Sequence, residues 1–260
     1  SDKFVQRNFG TEKIEEQLQE IFPDAKVARM DIDTVRGKNA HDVLIQQFEQ
    51  RRIDILVGTQ MVVKGLDFDN VDLVGILDAD GLLHFADFRV NERAFQLMEQ
   101  VSGRAGRKPS IVKTSEGKEA TGKVMIQTAN PSHPLLQIVQ QHDYKKMFDG
   151  ELEKRKQFFY PPFSRLIHLS FKHKMKEVVE RAAYHFANTL KNKYEKYIVG
   201  PAEPVINRIR NQYLMELLLK LPRDGKTLGQ SKKDLLEQIA ILHQEKSFRT
   251  VTVVADVDVL

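Results

Sequence analysis

The sequence of 260 residues predicts two consecutive α/β units. The first is an open, mostly parallel sheet with helices on both faces, and the second is a smaller α+β domain. Three observations predict this. Helical and strand patterns alternate up to residue 128, as in parallel βαβ units. A cluster of aromatic residues and prolines at 158–163 then interrupts every periodicity. The later patterns follow the βαββαβ order of a split βαβ domain. We therefore expect domains at 1–157 and 158–260.

In the first unit, apolar residues spaced by three and four predict amphipathic helices at 13–22 and 40–50. A further helix is expected before residue 103. Short apolar or alternating runs predict four strands, at 26–32, 53–57, 71–77 and 123–128. In a sheet of parallel strands, ligands bind at the carboxyl ends of the strands. We therefore look for a site in the segments that follow them.

A helical region at 131–157 closes the first unit and is expected to link the two domains. The elements predicted after it, in chain order, are a strand at 166–171, a helix at 176–197, a turn at Gly200-Pro201, two strands around 206–221, a helix at 231–243 and a strand at 250–259. This order predicts one layer of sheet with the helices on one face.

The composition is that of a soluble globular protein, with 41% hydrophobic and 29% charged residues. No apolar run approaches the roughly 20 residues of a membrane-spanning helix, and the first residues do not resemble a signal peptide. There is no cysteine, which excludes disulfides, thiolate zinc sites and cysteine nucleophiles within this chain. We expect a reducing, cytoplasmic setting and no contact with a membrane.

Basic residues are concentrated in the second half of the chain. Residues 1–130 hold 18 Lys and Arg against 21 Asp and Glu, whereas residues 131–260 hold 22 against 15. Two interpretations stay open: an ordinary fluctuation of charge along a chain, or a second unit that binds a phosphate backbone.

Two segments carry patterns that suggest chemistry. In the first, Gly58 and Thr59 follow a buried strand directly, and Gly65 and Asp67 lie further along the same connection. A hydroxyl and free backbone N–H groups suit a phosphate. An ordinary βα turn capped by Asp67 is the alternative.

The second segment is QVSGRAGR at 100–107, at the end of the helix expected before residue 103. Arg104 and Arg107 lie three residues apart, so that on a helical turn both guanidinium groups project from one side towards a charge-dense phosphate. A solvated basic turn is the alternative. The frame Q-x-x-G-R-x-G-R is much more specific than a lone pair of arginines.

The two segments together resemble motifs V and VI of superfamily 2 helicases, which belong to the second RecA-like lobe of those enzymes. Four further motifs narrow the resemblance to one family. They are the opening GTEKIEEQL, LDAD at 77–80, DFR at 87–89 with Glu92 after it, and PPF at 161–163. They are similar to the PriA (primosomal protein N′) family, the replication-restart DNA helicases. The motifs are densest between residues 10 and 162.

The resemblance implies roles for residues of the first unit. Arg104 and Arg107 would reach the ATP phosphates across the cleft between the lobes, one of the two acting as the arginine finger, and Gln100 would help order that site. Gly65 and Asp67 would couple nucleotide state to the grip on DNA.

Three further residues of the first unit would contact the DNA backbone: Thr59, and with it Thr34 and Lys64. A solvated surface lysine is the alternative for Lys64. The resemblance also implies unwinding of DNA in the 3′ to 5′ direction, which no residue of this sequence indicates.

Parts of a complete helicase are missing from the sequence. The P-loop pattern G-x-x-x-x-G-K-S/T and a DEAH-type magnesium box do not occur, nor do the zinc-binding cysteines that the family carries upstream of the GTEKIEEQL-like segment. We therefore interpret the chain as a C-terminal fragment. The first lobe would complete the binding site for ATP and Mg²⁺, and the fragment alone would hydrolyse no ATP. Zinc would be bound in the full-length parent and not in this chain.

For the second unit, the resemblance implies a domain that binds forked and single-stranded DNA and helps dock the single-stranded DNA-binding protein and other primosome proteins, in a monomer. Arg208 and Arg210 would contact phosphates, and Tyr213 would stack on a base. The other candidate cations are Lys172, Lys174, Lys176, Lys220 and Arg223. The run around Tyr213 is poorer in arginine than the family's, which puts the docking of partner proteins in doubt.

Other constellations are less specific. His84, His133, His142 and His243 have no metal-ligand spacing, so we expect no metal site. Asp78 and Asp80 could form a carboxylate pair, but a structural turn or a contact between lobes fits equally well. A rival from another class also stays open, namely a non-catalytic nucleic-acid-binding protein that keeps a RecA-like scaffold.

Overall fold

A computed structural model describes residues 10–31, 40–59, 71–84, 87–103, 105 and 122–257. The chain divides into two compact units, 1–149 and 150–260. The division falls inside the helix Tyr144–Gln157, whose last residue is where we placed the domain boundary. Each unit has its own β-structure and its own buried apolar residues.

The first unit alternates helices and strands as predicted. Its described elements are α1 (Thr11–Ile21), β1 (Val27–Met30), α2 (Ala40–Glu49), β2 (Ile55–Gly58), β3 (Leu73–Ile76), α3 (Ala79–Leu83), α4 (Val90–Ser102), β4 (Lys123–Ile126), α5 (Pro134–Gln140) and α6 (Tyr144–Gln157). The described strands form two parallel pairs, β1 with β2 and β3 with β4. Parallel pairing across helical connections is the α/β architecture that the sequence predicts.

Two groups of apolar side chains hold the described part of the first unit together. The larger group surrounds α4 and joins it to β3, α3, α5 and α6 through Ile76, Ala79, Ala94, Phe95, Met98, Leu135, Leu136, Val139 and Met147. The smaller one surrounds Met30 of β1, which is fully buried against Leu44, Phe48 and Leu56. Helix α4 is therefore fixed in place by its own apolar face.

The second unit is a βαββαβ domain, as predicted. Its elements are β5 (Arg165–His173), α7 (Lys176–Tyr194) with a 3₁₀ turn at Glu195–Tyr197, β6 (Ile198–Ala202), β7 (Arg208–Ile209), β8 (Gln212–Leu221), α8 (Gly225–Gln244) and β9 (Thr252–Val257). The antiparallel sheet has the order β6-β8-β5-β9, and the short β7 pairs with β8. The two strands predicted around 206–221 are β7 and β8, whereas β6 lies where a turn was predicted. The βαββαβ order holds when the two-residue β7 is counted together with β8.

One face of this sheet is covered by both helices. Alternate residues of β5 and β8, among them Leu169, Phe171 and Leu217, are buried against α7 and α8 in a single cluster. Phe171 and Phe186 meet edge to face with ring centroids 5.4 Å apart, a preferred geometry for aromatic pairs. Successive residues of a strand point to opposite faces of its sheet, so these alternate residues line the face that the helices cover.

A tightly held turn at 158–164 precedes β5. Phe159 has a positive φ of 51°, its ring stacks on Tyr197 at 6.3 Å, and its carbonyl accepts a hydrogen bond from the Ser164 hydroxyl at 2.8 Å. The Arg155 guanidinium donates to the Pro161 carbonyl at 3.3 Å. These contacts attach the aromatic and proline cluster to the second unit.

The predicted turn at Gly200-Pro201 is wrong, because these residues lie inside β6. The register of β6 against β8 shifts between Val199 and Ala202, so the two residues form a bulge-like irregularity in a strand. Gly and Pro are typical of turns and of bulges alike, and the sequence did not distinguish the two. Likewise α8 begins at Gly225 instead of Ser231, since the Asp224 side chain caps it by accepting from the Thr227 N–H at 2.6 Å.

Replacing Gly200 with alanine is expected to lower the free energy of unfolding by about 1–3 kcal/mol. Gly200 has a φ of 100°, and an added Cβ would lie 3.0 Å from the Glu216 carbonyl oxygen and 3.2 Å from the Ala202 nitrogen. Urea unfolding measures the change. Gly229→Ala is the matched control, because a Cβ there meets nothing within 4 Å and alanine is the better helix former. Equal effects of the two substitutions would contradict this account.

Candidate functional site

Of the residues expected at the nucleotide and DNA site of the first unit, the structure describes Thr59 and Gln100. Thr34, Lys64, Gly65, Asp67, Arg104 and Arg107 lie outside the described residues. The segments that contain those residues begin at the ends of described strands and helices.

Thr59 lies at the carboxyl end of β2 and is exposed. Because β1 and β2 are parallel and Met30 pairs with Gly58, Asp31 and Thr59 follow neighbouring positions at the same edge of the sheet. Asp31 is buried and accepts a hydrogen bond from the Thr11 hydroxyl at 2.7 Å. The connection after β1 contains Thr34, and the connection after β2 contains most of the motif V residues. The two connections therefore start side by side, at the sheet edge where α/β proteins bind ligands.

Gln100 lies on the exposed side of the last turns of α4, whose opposite side buries Ala94, Phe95 and Met98. The helix ends at Ser102, and the Gly103 N–H donates to the Glu99 carbonyl at 2.9 Å. The two predicted arginines thus follow directly from a helix that is anchored in the core. Rigid support of this kind suits a group that must be positioned against a phosphate.

An ion cluster fixes the other end of α4. Asp87 accepts from the Arg89 backbone N–H at 2.9 Å and guanidinium at 3.1 Å, and from Arg93 at 2.9 Å. Burial raises the pKa of Asp87, but the hydrogen bonds and positive charges of these arginines outweigh that and leave it below its usual value. This contact gives a physical role to the DFR triplet, which the sequence identified only by resemblance.

Asp78 and Asp80 have structural partners. Asp78 has a φ of 51° and caps α3, its Oδ1 accepting from the Gly81 N–H at 3.2 Å. Asp80 accepts from the Thr128 hydroxyl at 2.8 Å and from the Ala129 N–H at 2.7 Å. The bond from Ala129, followed by that from Thr128, lowers the pKa of Asp80. These contacts join α3 to the segment after β4 and favour the structural-turn interpretation.

The four histidines considered as ligands have separate environments. His84 Nδ1 lies 2.5 Å from the Asp80 carbonyl oxygen, His133 caps α5 at the Leu135 N–H, His142 pairs with Glu99 at 3.0 Å, and His243 lies 2.9 Å from the Val251 carbonyl oxygen. Within the described residues, no group of three His, Cys, Asp or Glu side chains is placed to hold a metal ion.

Three of the candidate cations of the second unit have partners inside that unit. Lys176 pairs with Glu203 at 2.5 Å. Lys220 donates to the Phe158 carbonyl at 2.9 Å, with its ammonium 3.5 Å from the Tyr160 ring centroid. Arg223 donates to the Pro162 carbonyl at 3.1 Å. Lys220 and Arg223 thus hold the turn at 158–164, a role that the charge pattern alone did not suggest.

Arg208, Arg210 and Tyr213 come together on the β7–β8 hairpin. Its two-residue turn is Arg210-Asn211, with φ of 48° and 63°, the signature of a type I′ turn. The Arg208 guanidinium covers the Tyr213 ring at 4.9 Å and donates to the Asn211 side chain. Tyr213 is half-buried and packs against the core. The two arginines are exposed, whereas stacking of a base on this face of Tyr213 would require Arg208 to move.

No helix in the described ranges is long and apolar enough to cross a membrane.

Comparisons with known proteins match both units. Residues 4–109 match the family described as the helicase conserved C-terminal domain, and residues 156–260 match the primosomal protein N C-terminal domain. The chain is 40% identical over 228 residues to the replication restart protein PriA of Bacillus subtilis. The aligned region covers 87% of this chain and 27% of that protein. It is 42% identical to that of Synechocystis, over 82% of this chain and 25% of the relative.

A third relative, the replication restart protein PriA of Treponema pallidum, is 40% identical over 82% of this chain and 31% of its own length. The chain therefore spans about a quarter to a third of the length of these curated relatives.

Proposed function

The chain belongs to the PriA family of replication restart proteins, and from this premise we propose that it supplies the second RecA-like lobe and the DNA-binding C-terminal domain of a DNA helicase. The helicase would be ATP-dependent, would unwind DNA from 3′ to 5′, and would recognise stalled forks to assemble the primosome. The observation that carries the proposal is the motif VI segment, which begins in the last turn of the core-anchored helix α4.

In this proposal the chain provides half of an ATP site. Arg104 and Arg107 bind the nucleotide phosphates and stabilise the charge that develops in phosphoryl transfer, Gln100 orders the site, and Gly65 and Asp67 link it to the DNA. Guanidinium groups suit phosphate oxygens. The P-loop and the Mg²⁺ ligands come from the first lobe, zinc belongs to a module of the parent protein, and the chain alone hydrolyses no ATP.

DNA is the proposed macromolecular ligand of both units. Thr34, Thr59 and Lys64 contact the backbone near the strand ends of the first unit, and Arg208 and Arg210 contact phosphates from the hairpin of the second. We further propose a cytoplasmic, nucleoid-associated monomer whose partners are the single-stranded DNA-binding protein and other primosome proteins.

Binding of this chain to forked and single-stranded oligonucleotides is expected to weaken steeply with salt, because each neutralised phosphate releases counterions. Fluorescence anisotropy across a salt series measures this. Alanine at both Arg208 and Arg210 is expected to lower the salt slope on duplex-containing DNA by about 2. Arg104→Ala and Arg107→Ala are expected to change it less.

Arg249→Ala is the matched control for the hairpin arginines, since Arg249 is also exposed in the second unit. A flat salt response of the unmodified chain would refute phosphate binding by its basic surface. A slope that falls equally in the control would refute the assignment to the hairpin.

A further inference from the structure

Residues 205–211, which we call the arm, run through β7 and the hairpin turn and expose three apolar side chains. Val205, Ile206 and Ile209 are 92%, 66% and 49% exposed. Scattered surface apolar residues are common in proteins, but a contiguous group on one short segment indicates a contact surface.

The arm has a defined conformation at its tip and at its base. At the tip, the type I′ turn matches the twist of a two-stranded ribbon. At the base, the Asn207 carbonyl accepts from the Leu214 N–H at 2.9 Å, and the Asn207 amide donates to Glu203 at 2.9 Å. Glu203 in turn pairs with Lys176 at the start of α7. A preorganised element loses little conformational entropy when it binds.

The charges of the arm favour an anionic ligand. Arg208 and Arg210 are exposed on either side of Ile209. Glu203, the acidic residue at the base, is already paired with Lys176, and the hydrogen bond from Lys176 lowers the pKa of that carboxyl. The surface offered to a partner therefore combines apolar side chains with uncompensated positive charge.

Duplex DNA fits this surface better than a single strand does. The major groove, about 12 Å wide, admits a two-stranded ribbon, and there arginine pairs with guanine and apolar side chains contact the thymine methyl group. Proteins hold single strands mainly by stacking bases on aromatic rings. The exposed residues of the arm include no aromatic side chain, and Arg208 covers the nearby Tyr213.

We propose that the arm enters the major groove of duplex DNA, with Ile206 and Ile209 against the base edges and Arg208 and Arg210 on guanine or phosphate. This inference rests on the proposed DNA binding of the chain and specifies that the arm binds double-stranded DNA. The arm would thus hold the double-stranded part of a branched substrate.

The test compares the full chain with the double variant Ile206→Ser/Ile209→Ser, on a 20-base-pair duplex and on a single strand of equal length. Loss of roughly 50 Å² of buried apolar contact is expected to weaken duplex binding about tenfold and single-strand binding less than twofold. Leu236→Ser is the matched control, an apolar residue of α8 that is 69% exposed, and it should leave both affinities unchanged. Thermal melting checks that the variants stay folded.

Groove-specific competitors complete the test. Methyl green, which occupies the major groove, is expected to displace the chain from the duplex, whereas netropsin in the minor groove is not. Unchanged duplex affinity of the double variant, or displacement by netropsin alone, would overturn the arm proposal while leaving DNA binding intact. The former result would instead favour a protein as occupant of the arm. If the unmodified chain binds no DNA, it is the proposed function that fails.

Discussion

In a protein that carries both helicase lobes, alanine at Arg104 or at Arg107 is expected to lower ATP turnover, and by about 10³- to 10⁵-fold for whichever of the two is the arginine finger. The expectation follows from the pattern and its support. The two arginines come directly after α4, whose Ala94, Phe95 and Met98 are buried in the core of the first unit. A preorganised group stabilises transition-state charge without having to be ordered during the reaction, and a helix anchored in the core is a suitable support for one.

The measurement is steady-state ATP hydrolysis in the presence of saturating DNA, together with DNA affinity by anisotropy. DNA affinity should change little, since these side chains are assigned to the nucleotide. Lys108→Ala is a suitable control, because it removes a neighbouring positive charge outside the Q-x-x-G-R-x-G-R frame. Unaltered turnover in both arginine variants would refute the finger assignment.

Alanine at Asp234 is expected to lower the free energy of unfolding of the second unit by about 1–3 kcal/mol. Asp234 joins α7 to α8: it accepts from the Tyr194 hydroxyl at 2.5 Å, from the Lys193 ammonium at 2.5 Å and from the Gln230 amide at 2.7 Å. Tyr194 is only 4% exposed. The substitution therefore leaves a buried hydroxyl without its acceptor, which is the costly kind of loss. Urea unfolding followed by circular dichroism measures the change.

The pH dependence of the same contact gives a second readout. The bonds from Lys193 and then Tyr194 lower the pKa of Asp234 from 3.8 to about 2. Because the folded pKa lies below the unfolded one, the contact stabilises the fold above about pH 4, and this contribution is lost as the pH falls towards 2. The unfolding free energies of the unmodified chain and of Asp234→Ala should therefore converge in that range.

At the alkaline end, burial and then the bond to Asp234 raise the pKa of Tyr194 above its ordinary value of 10. The unfolded tyrosine ionises first, so the contribution of this pair also declines above about pH 10. Lys193→Met is the control for the network, since Lys193 is 55% exposed and its ion pair is worth at most about 1 kcal/mol. A larger effect in the control than in Asp234→Ala would contradict the assignment.

Periodicity predicted most of the fold because it reports which side of an element is buried. The spacing of apolar residues by three and four that predicts helices at 13–22 and 40–50 is visible in the sequence for that reason, and α1 and α2 lie there. The errors arose where a local signal has two meanings. Gly200 and Pro201 fit a turn or a bulge, and the decision depends on pairing with β8, which is distant in sequence.

The candidate site was predicted through motifs, and its supporting contacts were not. Nothing in the spacing of Asp87, Arg89 and Arg93 specifies an ion cluster, because the same residues could equally be solvated. The partners of Lys220 and Arg223 lie about 60 residues away along the chain, beyond the reach of any local pattern. Tyr213 was expected to be open for stacking, but the cross-strand position of Arg208 over its ring follows from the hairpin register.

The turn at 158–164 determines where a truncated protein that contains the second unit should begin. Lys220 and Arg223 donate hydrogen bonds to its carbonyl groups, Phe159 stacks on Tyr197, and Arg155 donates to the Pro161 carbonyl. A truncated protein that begins at the first residue of β5 would therefore lose a packed segment and expose apolar surface, although the sheet itself would be complete. A cut placed before Arg155 keeps these contacts, and a protease added to the whole chain should find this turn a poor substrate despite its position between a helix and a strand.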